Sequence, residues 1–341
     1  MNEMKAIQIV GPGKIELIEK NVPVPTAEEI LLKIKYVGLC GSDLNTYMGS
    51  NPLVQYPRIP GHEISASIEE TGSGVPDHLK KGQKVTVIPY TNCGQCPSCK
   101  SGRPNACQFN QTMGVQRDGA MCEYFRVPWQ KVLFSDHLHE KQLTLVEPLT
   151  VGFHAIARAN VTNADTVMVL GCGMIGAGAV TRAKYLGAKV IAVDIDNNKL
   201  AMAEKLGADF IINSAEQDLH GRLTEITSRE GPGVVIEAAG NPVTYRTAVE
   251  EVAFCGRVVC IGYAKDDVAL ATSLFVRKEM DIRGSRNAAT SDFETVIQFL
   301  EENIFPVDEV ISRIVKPEET VVTLREWSAN PGKYFKIVVE F

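Results

Sequence analysis

The sequence predicts an α/β protein that joins a mainly antiparallel β domain to a doubly wound parallel sheet. Three observations predict this arrangement. Short alternating runs broken by Gly and Pro fill the chain up to about residue 145, and apolar strands alternate with helical segments from about residue 150. A glycine-rich turn follows the first of those apolar strands. With 341 residues, the chain is long enough for two hydrophobic cores.

The N-terminal part is predicted to be rich in short strands. Residues 30–37 and 84–89 are examples, since apolar and polar side chains alternate in both and turn residues lie nearby. Several such strands with turn signals between them are typical of an antiparallel domain.

The second part has a different pattern, in which strands and helices alternate. The predicted strands are residues 166–170, 189–194, 234–237 and 257–262, and the predicted helices include residues 177–186 and 198–206. Strand–helix alternation implies a parallel sheet with helices on both faces. A further helix is predicted at 291–303 and a final strand at 335–341.

Composition and charge exclude several classes of protein. The formal net charge is −6, which argues against a nucleic-acid partner, because phosphates select clustered Lys and Arg. We see no signal-peptide core and no apolar run near the ~20 residues that span a bilayer. Nine cysteines, an odd number, suit a reducing cytoplasm better than a disulfide scaffold.

Four of these cysteines form a metal-binding pattern at residues 90–108. Cys93, Cys96, Cys99 and Cys107 lie within fifteen residues as Cys-x2-Cys-x2-Cys-x7-Cys. Thiolates at this spacing can surround one tetrahedral Zn²⁺, and four sulfurs leave no position for substrate. The site is therefore predicted to be structural.

Two other interpretations of the cysteines remain open. They could be unrelated core residues, although such residues do not normally gather in one loop. They could also hold an iron–sulfur cluster, whose bacterial pattern is Cys-x2-Cys-x2-Cys-x3-Cys followed by Pro. Here the last gap is seven residues and Gln108 follows the fourth cysteine.

A dinucleotide fingerprint lies at the start of the parallel sheet. Gly171-Cys172-Gly173-Met174-Ile175-Gly176 has the form G-x-G-x-x-G, follows a strand and opens a helix. Asp194 ends the next strand. This context predicts a Rossmann domain with the pyrophosphate at the helix N-terminus and Asp194 on the ribose hydroxyls. The carboxylate would repel a 2′-phosphate, which predicts NAD rather than NADP. An unrelated glycine-rich turn is the alternative.

Three separated segments carry candidate ligands for a catalytic metal. Cys40, Ser42 and Asp43 lie in one turn, His62 and Glu63 follow Pro60, and Glu147 lies near the predicted domain junction. A catalytic zinc takes three protein ligands and keeps one open position. Cys40, His62 and one or both glutamates can supply them, but taken singly His62 and Cys40 are also consistent with ordinary buried residues.

The motifs and their order resemble the zinc-dependent medium-chain dehydrogenase/reductase superfamily. Along the chain they are GLCGSD, PGHE, the four-cysteine lobe and GCGMIG with Asp194. The resemblance covers essentially the whole chain and implies a GroES-like catalytic domain carrying the zinc lobe. It is closest to bacterial sugar-acid oxidoreductases of the galactonate type, with the polyol and threonine dehydrogenase branches as near rivals.

The resemblance also implies roles for the site residues. Cys40 and His62 would bind the catalytic zinc, Glu63 would enter its coordination shell, Ser42 would begin the proton relay and Asp43 would orient His62. The alcohol dehydrogenase branch has a third ligand cysteine near position 147. This chain has Glu147 instead, and in this it resembles the polyol and threonine dehydrogenase branches.

Residues facing NAD are implied in the same way. The residues so implied, beyond the glycine-rich turn and Asp194, are Ala239, Ile261, Gly262, Ser285 and Arg286, although Arg286 could instead form a surface salt bridge. The expected boundaries are 1–148 for the catalytic domain, 149–285 for the NAD domain and 286–341 for a segment returning to the catalytic domain. Residues 258–261, followed by 269–275, resemble the edge through which this family forms dimers, which commonly pair into tetramers.

The expected activity is hydride transfer between NAD and a secondary alcohol of a polyol or a sugar acid such as an aldonate, with two zincs per chain. L-threonine 3-dehydrogenase-like and sorbitol dehydrogenase-like enzymes are alternatives within the same reaction class. A zinc-free quinone reductase and an NAD-sensing binding protein are more distant ones. The expected partner is a small-molecule alcohol, in a cytoplasmic homodimer or homotetramer.

Overall fold

The computed structural model describes residues 3–341, which divide into two compact units. One unit runs up to Glu147 and adds Ala289–Phe341, and the other is Pro148–Ala288. The boundary after Glu147 falls inside a single helix. The domain limits predicted from the sequence stay a prediction, and they differ from these divisions by one residue at the first boundary and three at the second.

The helices and strands have the following bounds. The strands are β1 Glu3–Gly11, β2 Lys14–Asn21, β3 Glu29–Leu39, β4 Glu63–Thr71, β5 Lys84–Val87, β6 Tyr124–Pro128, β7 Val132–Phe134, β8 Thr166–Leu170, β9 Lys189–Asp194, β10 Phe210–Asn213, β11 Val234–Glu237, β12 Arg257–Cys260, β13 Asp281–Gly284, β14 Ile311–Val315 and β15 Lys336–Glu340. The helices are α1 Gly41–Met48, α2 Pro97–Lys100, α3 Glu140–Ala159, α4 Met174–Tyr185, α5 Asn197–Lys205, α6 Leu219–Ile226, α7 Pro242–Glu251, α8 Ser273–Lys278, α9 Thr290–Glu301, α10 Val307–Val310 and α11 Thr320–Ala329. Three short 3₁₀ turns lie at Pro104–Ala106, Trp129–Lys131 and Pro317–Glu319.

The first unit is built on a sheet in the order β14-β15-β3-β4-β5-β7, with β6 also paired to β3. All of its pairs are antiparallel except β14 with β15. β1 and β2 form a separate antiparallel hairpin. One continuous apolar core packs these strands together. The prediction of a mainly antiparallel domain is confirmed.

The last strand of the chain lies inside this sheet. β15 pairs with β3 on one side, with Ile337 opposite Leu39 and Val339 opposite Val37, and with β14 on the other. This position places Lys336, the first residue of β15, beside the end of β3, where the Cys40 segment begins.

The second unit contains a parallel sheet in the order β10-β9-β8-β11-β12-β13, in which all five pairs are parallel. Its first strand, β8, is central, and the order reverses between β8 and β11. This is the Rossmann arrangement, in which ligands bind beyond the carboxyl ends of the strands near the reversal. The predicted doubly wound sheet is confirmed.

Most predicted elements of this unit match the structure closely. The strands predicted at 166–170, 189–194 and 234–237 have those bounds, and the predicted helices are shifted by one to three residues. Residues 258–261 are not themselves an edge strand, because β12 is paired on both sides and β13 is the edge strand within residues 3–341. The role of residues 258–261 and 269–275 in dimer formation stays a prediction. The charged residues of β13 hide its strand character in the sequence.

Within residues 3–341, none of the helices combines the length and apolar character needed to span a bilayer.

Candidate metal and cofactor sites

The four cysteines of the predicted lobe converge on one point. Their sulfur atoms lie within 4.8 Å of one another, with Cys96 Sγ 3.5 Å from Cys99 Sγ and 3.8 Å from Cys107 Sγ. Sulfurs at the corners of a tetrahedron around zinc are about 3.8 Å apart, given Zn–S bonds of about 2.3 Å. The donor set and its spacing therefore fit a closed zinc site.

The backbone around the lobe stabilises negative sulfur. The Ser98 hydroxyl, with the N–H groups of Cys99 and Gln108, lowers the pKa of Cys96 to about 5. Backbone N–H groups also lower the pKa of Cys93, whereas burial raises the pKa of Cys99 to about 11. The thiolate is the form that binds metal, so the loop favours the ligand form of two of its cysteines before metal arrives.

A buried carboxylate connects the Cys40 segment with the His62 segment. Cys40 precedes α1 in an extended conformation, and Asp43 Oδ2 accepts a hydrogen bond of 2.8 Å from the Cys40 N–H. Asp43 Oδ1 accepts a longer one, 3.4 Å, from the Gly61 N–H. Burial raises the pKa of Asp43, while the charge of His62 and the Cys40 N–H act against that rise. Asp43 thus fixes the backbone of both segments.

Cys40, His62 and Glu63 form the second group of candidate metal ligands. Their ligand atoms lie within 4.8 Å of one another, and His62 and Glu63 are buried. Burial opposes the charged imidazole, but the hydrogen bond and charge of Cys40, with the charges of Asp43 and Glu147, raise the pKa of His62 well above its usual value. Thiolate, imidazole and carboxylate are all zinc ligands, so the group fits an open catalytic site.

Lys336, for which the sequence predicted no role, holds Glu63 in place. Lys336 Nζ donates to Glu63 Oε1 at 2.5 Å and to the Leu39 carbonyl at 3.2 Å, and both charged side chains are 2% exposed or less. In the sequence, Lys336 is one residue of an apolar C-terminal strand. A lysine at the start of an otherwise apolar run is the signal that could have indicated a buried partner.

Position 38 requires a glycine, because the neighbouring Glu63 side chain leaves no room for a Cβ atom. It lies opposite Glu63 in the β3–β4 pair, and a Cβ added at Gly38 would lie 1.9 Å from Glu63 Oε2. Any side chain at position 38 would therefore displace the carboxylate.

Glu147, the other predicted carboxylate ligand, lies outside the group formed by Cys40, His62 and Glu63. It is 4% exposed and accepts a very short hydrogen bond from the Tyr90 hydroxyl. Burial raises the pKa of Glu147, although the charge of His62 acts against that rise, and burial together with Glu147 raises the pKa of Tyr90 well above its usual value. Tyr90 had no predicted role.

Ser42 Oγ and His62 Nδ1 are among the polar atoms at this group that have no hydrogen-bond partner within residues 3–341 and are inaccessible to solvent. The sequence predicted that Asp43 orients His62, and in the structure Asp43 Oδ1 accepts from the N–H of Gly61, the residue before His62. The orienting role of Asp43 stays a prediction.

The glycine-rich turn in the second unit has the geometry that close contact with phosphate requires. Gly171 has φ of +92°, and a Cβ at Gly176 would lie 1.9 Å from the Gly171 carbonyl oxygen. A Cβ at Gly173 would meet no atom within 4 Å, so open space lies above the turn. Met174 and Ile175 open α4, a helix of twelve residues whose N-terminus is suited to bind an anion. The residues fit a pyrophosphate.

Asp194 lies at the end of β9, next to this turn. Its Oδ2 accepts a 2.7 Å hydrogen bond from the Cys172 N–H, and its Oδ1 accepts from the N–H groups of Ile195 and Asp196. The half-buried carboxylate is thereby held at the edge of the glycine-rich turn. Asp196 instead caps the N-terminus of α5.

The other predicted cofactor residues lie after neighbouring strands of the same sheet. Ala239 follows β11, Ile261 and Gly262 follow β12, and Ser285 and Arg286 follow β13. The Ser285 hydroxyl is buried and has no hydrogen-bond partner in the part of the chain that the structure describes. Parallel strands bring these positions to the carboxyl edge of one sheet.

Two family models match the chain. Residues 26–136 match the alcohol dehydrogenase GroES-like domain, and residues 175–302 match the zinc-binding dehydrogenase model. L-galactonate-5-dehydrogenase of Escherichia coli K12 is 35% identical, over 92% of both chains. Sorbitol dehydrogenase of Bacillus subtilis 168 is 34% identical, over 98% of this chain and 97% of that protein.

The chain belongs to the zinc-type alcohol dehydrogenase family.

One solved structure has the same fold throughout. It is described as the short chain alcohol dehydrogenase RspB of E. coli CFT073 complexed with NADH, and it matches all of both chains with a TM-score of 0.93 and 29% sequence identity. As a zinc-type alcohol dehydrogenase, the chain is an oxidoreductase of CH–OH donors. The sequence predictions of family, fold class and reaction class are confirmed.

Proposed function

We propose that this zinc-type alcohol dehydrogenase transfers a hydride from a secondary alcohol of a polyol or a sugar acid, such as an aldonate, to NAD. One observation carries the proposal. Cys40, His62 and Glu63 bring a thiolate, an imidazole and a carboxylate within 4.8 Å of one another. Three such ligands leave a tetrahedral metal one open position for a substrate hydroxyl.

The substrate class is supported by the names of similar proteins. The relatives at 35% and 34% identity are named for galactonate, a sugar acid, and for sorbitol, a polyol. Both substrates carry several secondary hydroxyls. The choice between an aldonate and a neutral polyol is a matter for a substrate screen.

Two zinc sites are proposed. Cys93, Cys96, Cys99 and Cys107 would hold a structural ion in the lobe. Cys40, His62 and Glu63 would hold the catalytic ion, with Glu147 as a nearby carboxylate. When bound there, Zn²⁺ supplies a Lewis acid that lowers the pKa of a coordinated hydroxyl.

The chain's own residues then have distinct tasks. Ser42, whose hydroxyl has no hydrogen-bond partner within residues 3–341, would accept the proton of the substrate alcohol while passing its own hydroxyl proton to the next group of the relay. Asp43 fixes the backbone of Cys40 and Gly61, and Lys336 keeps the Glu63 carboxylate in one position.

The proposed cofactor is NAD, which supplies the hydride acceptor when bound. Gly171, Gly173 and Gly176 leave room for its pyrophosphate at the start of α4. Asp194 would bind the adenosine ribose and repel a 2′-phosphate. The remaining cofactor contacts are proposed for Met174, Ile175, Ala239, Ile261, Gly262, Ser285 and Arg286.

A homodimer or homotetramer in the cytoplasm is the proposed state. Three large apolar side chains in the β12–β13 region support self-association, because they are exposed: Phe254 at 65%, Val276 at 85% and Ile282 at 43%. β13 is also the end strand of its sheet within residues 3–341, and a second copy can pair with its free edge.

The test is formation of NADH at 340 nm with a panel of aldonates, polyols, uronates and L-threonine, combined with zinc analysis. Turnover with an aldonate or polyol and about two zincs per chain supports the proposal. Turnover with L-threonine alone indicates the threonine dehydrogenase branch. NADH binding without turnover of any alcohol indicates a binding protein and contradicts the proposal.

A further inference from the structure

We propose that Glu237 is a positioning residue for the dinucleotide, a role that rests on the proposed use of NAD. Glu237 is the last residue of β11 and lies in register between Leu170 of β8 and Cys260 of β12. The turns that follow these three strands are the ones assigned above to the cofactor. Glu237 is 0% exposed, so its carboxyl group cannot itself be on the surface of that site.

One oxygen of Glu237 organises its own turn. Oε1 accepts hydrogen bonds from the N–H groups of Ala239 at 3.0 Å and Gly240 at 2.8 Å, and from the Thr244 hydroxyl at 2.7 Å. No Lys, Arg or His forms an ion pair with Glu237 within residues 3–341. Among the described residues, the carboxyl group therefore stabilises a turn through hydrogen bonds and forms no salt bridge.

The backbone of Glu237 fixes the neighbouring turn as well. Its carbonyl oxygen accepts from the N–H groups of Ile261 at 2.9 Å and Gly262 at 3.2 Å. A Cβ at Gly262 would lie 2.8 Å from Glu237 Oε2 and 2.2 Å from the Gly240 nitrogen. The second carboxyl oxygen thus fills the gap between the β11 and β12 turns, with no hydrogen-bond partner among residues 3–341.

The β11 turn in turn touches the glycine-rich turn. The Ala238 N–H donates to the Leu170 carbonyl at 2.8 Å, and a Cβ at Gly171 would lie 2.9 Å from the Ala239 nitrogen. A shift of Ala239 would therefore enter the space that Gly171 leaves for the pyrophosphate. Through Ala239, Gly240 and Gly262, the Glu237 carboxyl group sets the shape of the cofactor-facing edge without contacting the cofactor.

The experiment compares Glu237→Leu with Glu237→Gln in the full-length zinc-loaded protein. Leucine is similar in size but leaves the N–H groups of Ala239 and Gly240 without this acceptor and removes one of the two acceptors of the Thr244 hydroxyl, whereas glutamine retains an amide oxygen for all three donors. The readouts are the Kd of NADH by fluorescence titration, the KM of NAD, kcat, zinc content and Tm. Asp165→Leu is the control, because Asp165 lies in the turn before β8 at the opposite end of the sheet, where it accepts from the Thr162 N–H and forms an ion pair with Arg257.

Glu237→Leu is expected to raise the Kd of NADH and the KM of NAD by roughly tenfold, with kcat and zinc content changed far less, since three hydrogen bonds to the turn are lost. Glu237→Gln is expected to restore most of the affinity. The control should lower Tm and leave the Kd of NADH within about twofold. If Glu237→Leu does not fold, Thr244→Val removes one donor to Oε1 and should raise the Kd of NADH by about threefold.

Unchanged NADH affinity in Glu237→Leu, or in Thr244→Val where the first variant does not fold, overturns the inference. So does an equal loss of affinity in the Asp165 control, because the effect would then follow stability alone. Failure of the wild-type protein to bind NADH contradicts the proposed function itself, and the inference falls with it.

Discussion

Lys336 and Glu63 form a buried ion pair across 273 positions of the chain, and the pair ends at a candidate zinc ligand. Lys336 also donates to the carbonyl of Leu39, the residue before Cys40. A single ammonium group therefore connects two of the three segments that carry metal ligands. Its burial means that neither charge can be solvated if the other is removed.

We expect Lys336→Met to lower the free energy of unfolding of the zinc-free protein by about 3 kcal/mol, because it leaves the buried Glu63 carboxylate without a cation. Adding Glu63→Leu should recover most of this loss, since the uncompensated charge is removed as well. Urea denaturation of the chelated proteins measures both changes. If the losses of unfolding free energy caused by Lys336→Met and by Glu63→Leu simply add in the double variant, the two residues are not energetically coupled.

Glu63 and Glu147 should differ in their effect on metal content. Glu63→Ala removes a carboxylate that lies with Cys40 and His62, so zinc should fall from about two to about one per chain and turnover should drop by orders of magnitude. Glu147→Ala should retain more of the zinc, because Tyr90 binds that carboxylate in the structure. Elemental analysis after gel filtration measures the difference, and the reverse order would assign the third ligand to Glu147.

Cys93→Ser should destabilise the protein more than it alters the pocket chemistry. A closed four-sulfur site contributes folding free energy, and serine cannot replace a thiolate around zinc. We expect a lower Tm and the loss of one zinc per chain, with the KM for substrate little changed in the fraction that remains folded. Cys255→Ser, at an exposed free cysteine, is the control. An unchanged Tm with full zinc occupancy would contradict this prediction.

Asp194 should determine the choice between NAD and NADP. Its carboxylate lies beside the glycine-rich turn, bonded to the Cys172 N–H. Asp194→Ala removes both an acceptor for the ribose hydroxyls and a charge that repels the 2′-phosphate. NAD binding should therefore weaken, and the preference for NAD over NADP should become smaller. Ratios of kcat/KM for the two cofactors give the answer. Efficient use of NADP by the wild-type protein would show that Asp194 does not discriminate.

The β13 edge should mediate self-association. Ile282 is 43% exposed on an edge strand, and Ile282→Asp places a charge where a second copy would pair. Sedimentation should show a smaller species for this variant than for the wild type, with Ile304→Asp, an exposed position in the other unit, as the control. A wild-type protein that is monomeric at micromolar concentration would exclude the interface.

Local patterns predicted a large part of the fold and of the sites. The cysteine lobe closes within fifteen residues, and the glycine-rich turn joins one strand to the next helix, so both depend on neighbours in the sequence. The strands of the parallel sheet are continuous apolar runs, which is why three of them were predicted with the observed bounds.

Local sequence patterns could not predict contacts between residues that are far apart in the chain. The Lys336–Glu63 pair depends on β15 lying beside β3, and the Tyr90–Glu147 hydrogen bond joins residues 57 positions apart. The residues that flank Lys336 and Tyr90 in the sequence do not indicate which residue each of them contacts. Residues 258–261 were assigned to an edge by resemblance alone, whereas the pairing of β12 with β13 depends on residues that follow β12 by more than twenty positions.

The position of β15 has a consequence for synthesis on the ribosome. The unit formed by Pro148–Ala288 is continuous in sequence and can fold as soon as it has left the exit tunnel. The unit that contains Cys40, His62 and Glu63 has to wait for β15, whose residues pair with β3 and supply the counter-charge for Glu63. Although its ligands are translated early, the candidate catalytic site is therefore among the last parts of the chain to mature, and a nascent chain short of residue 336 holds its ligand glutamate without a cation.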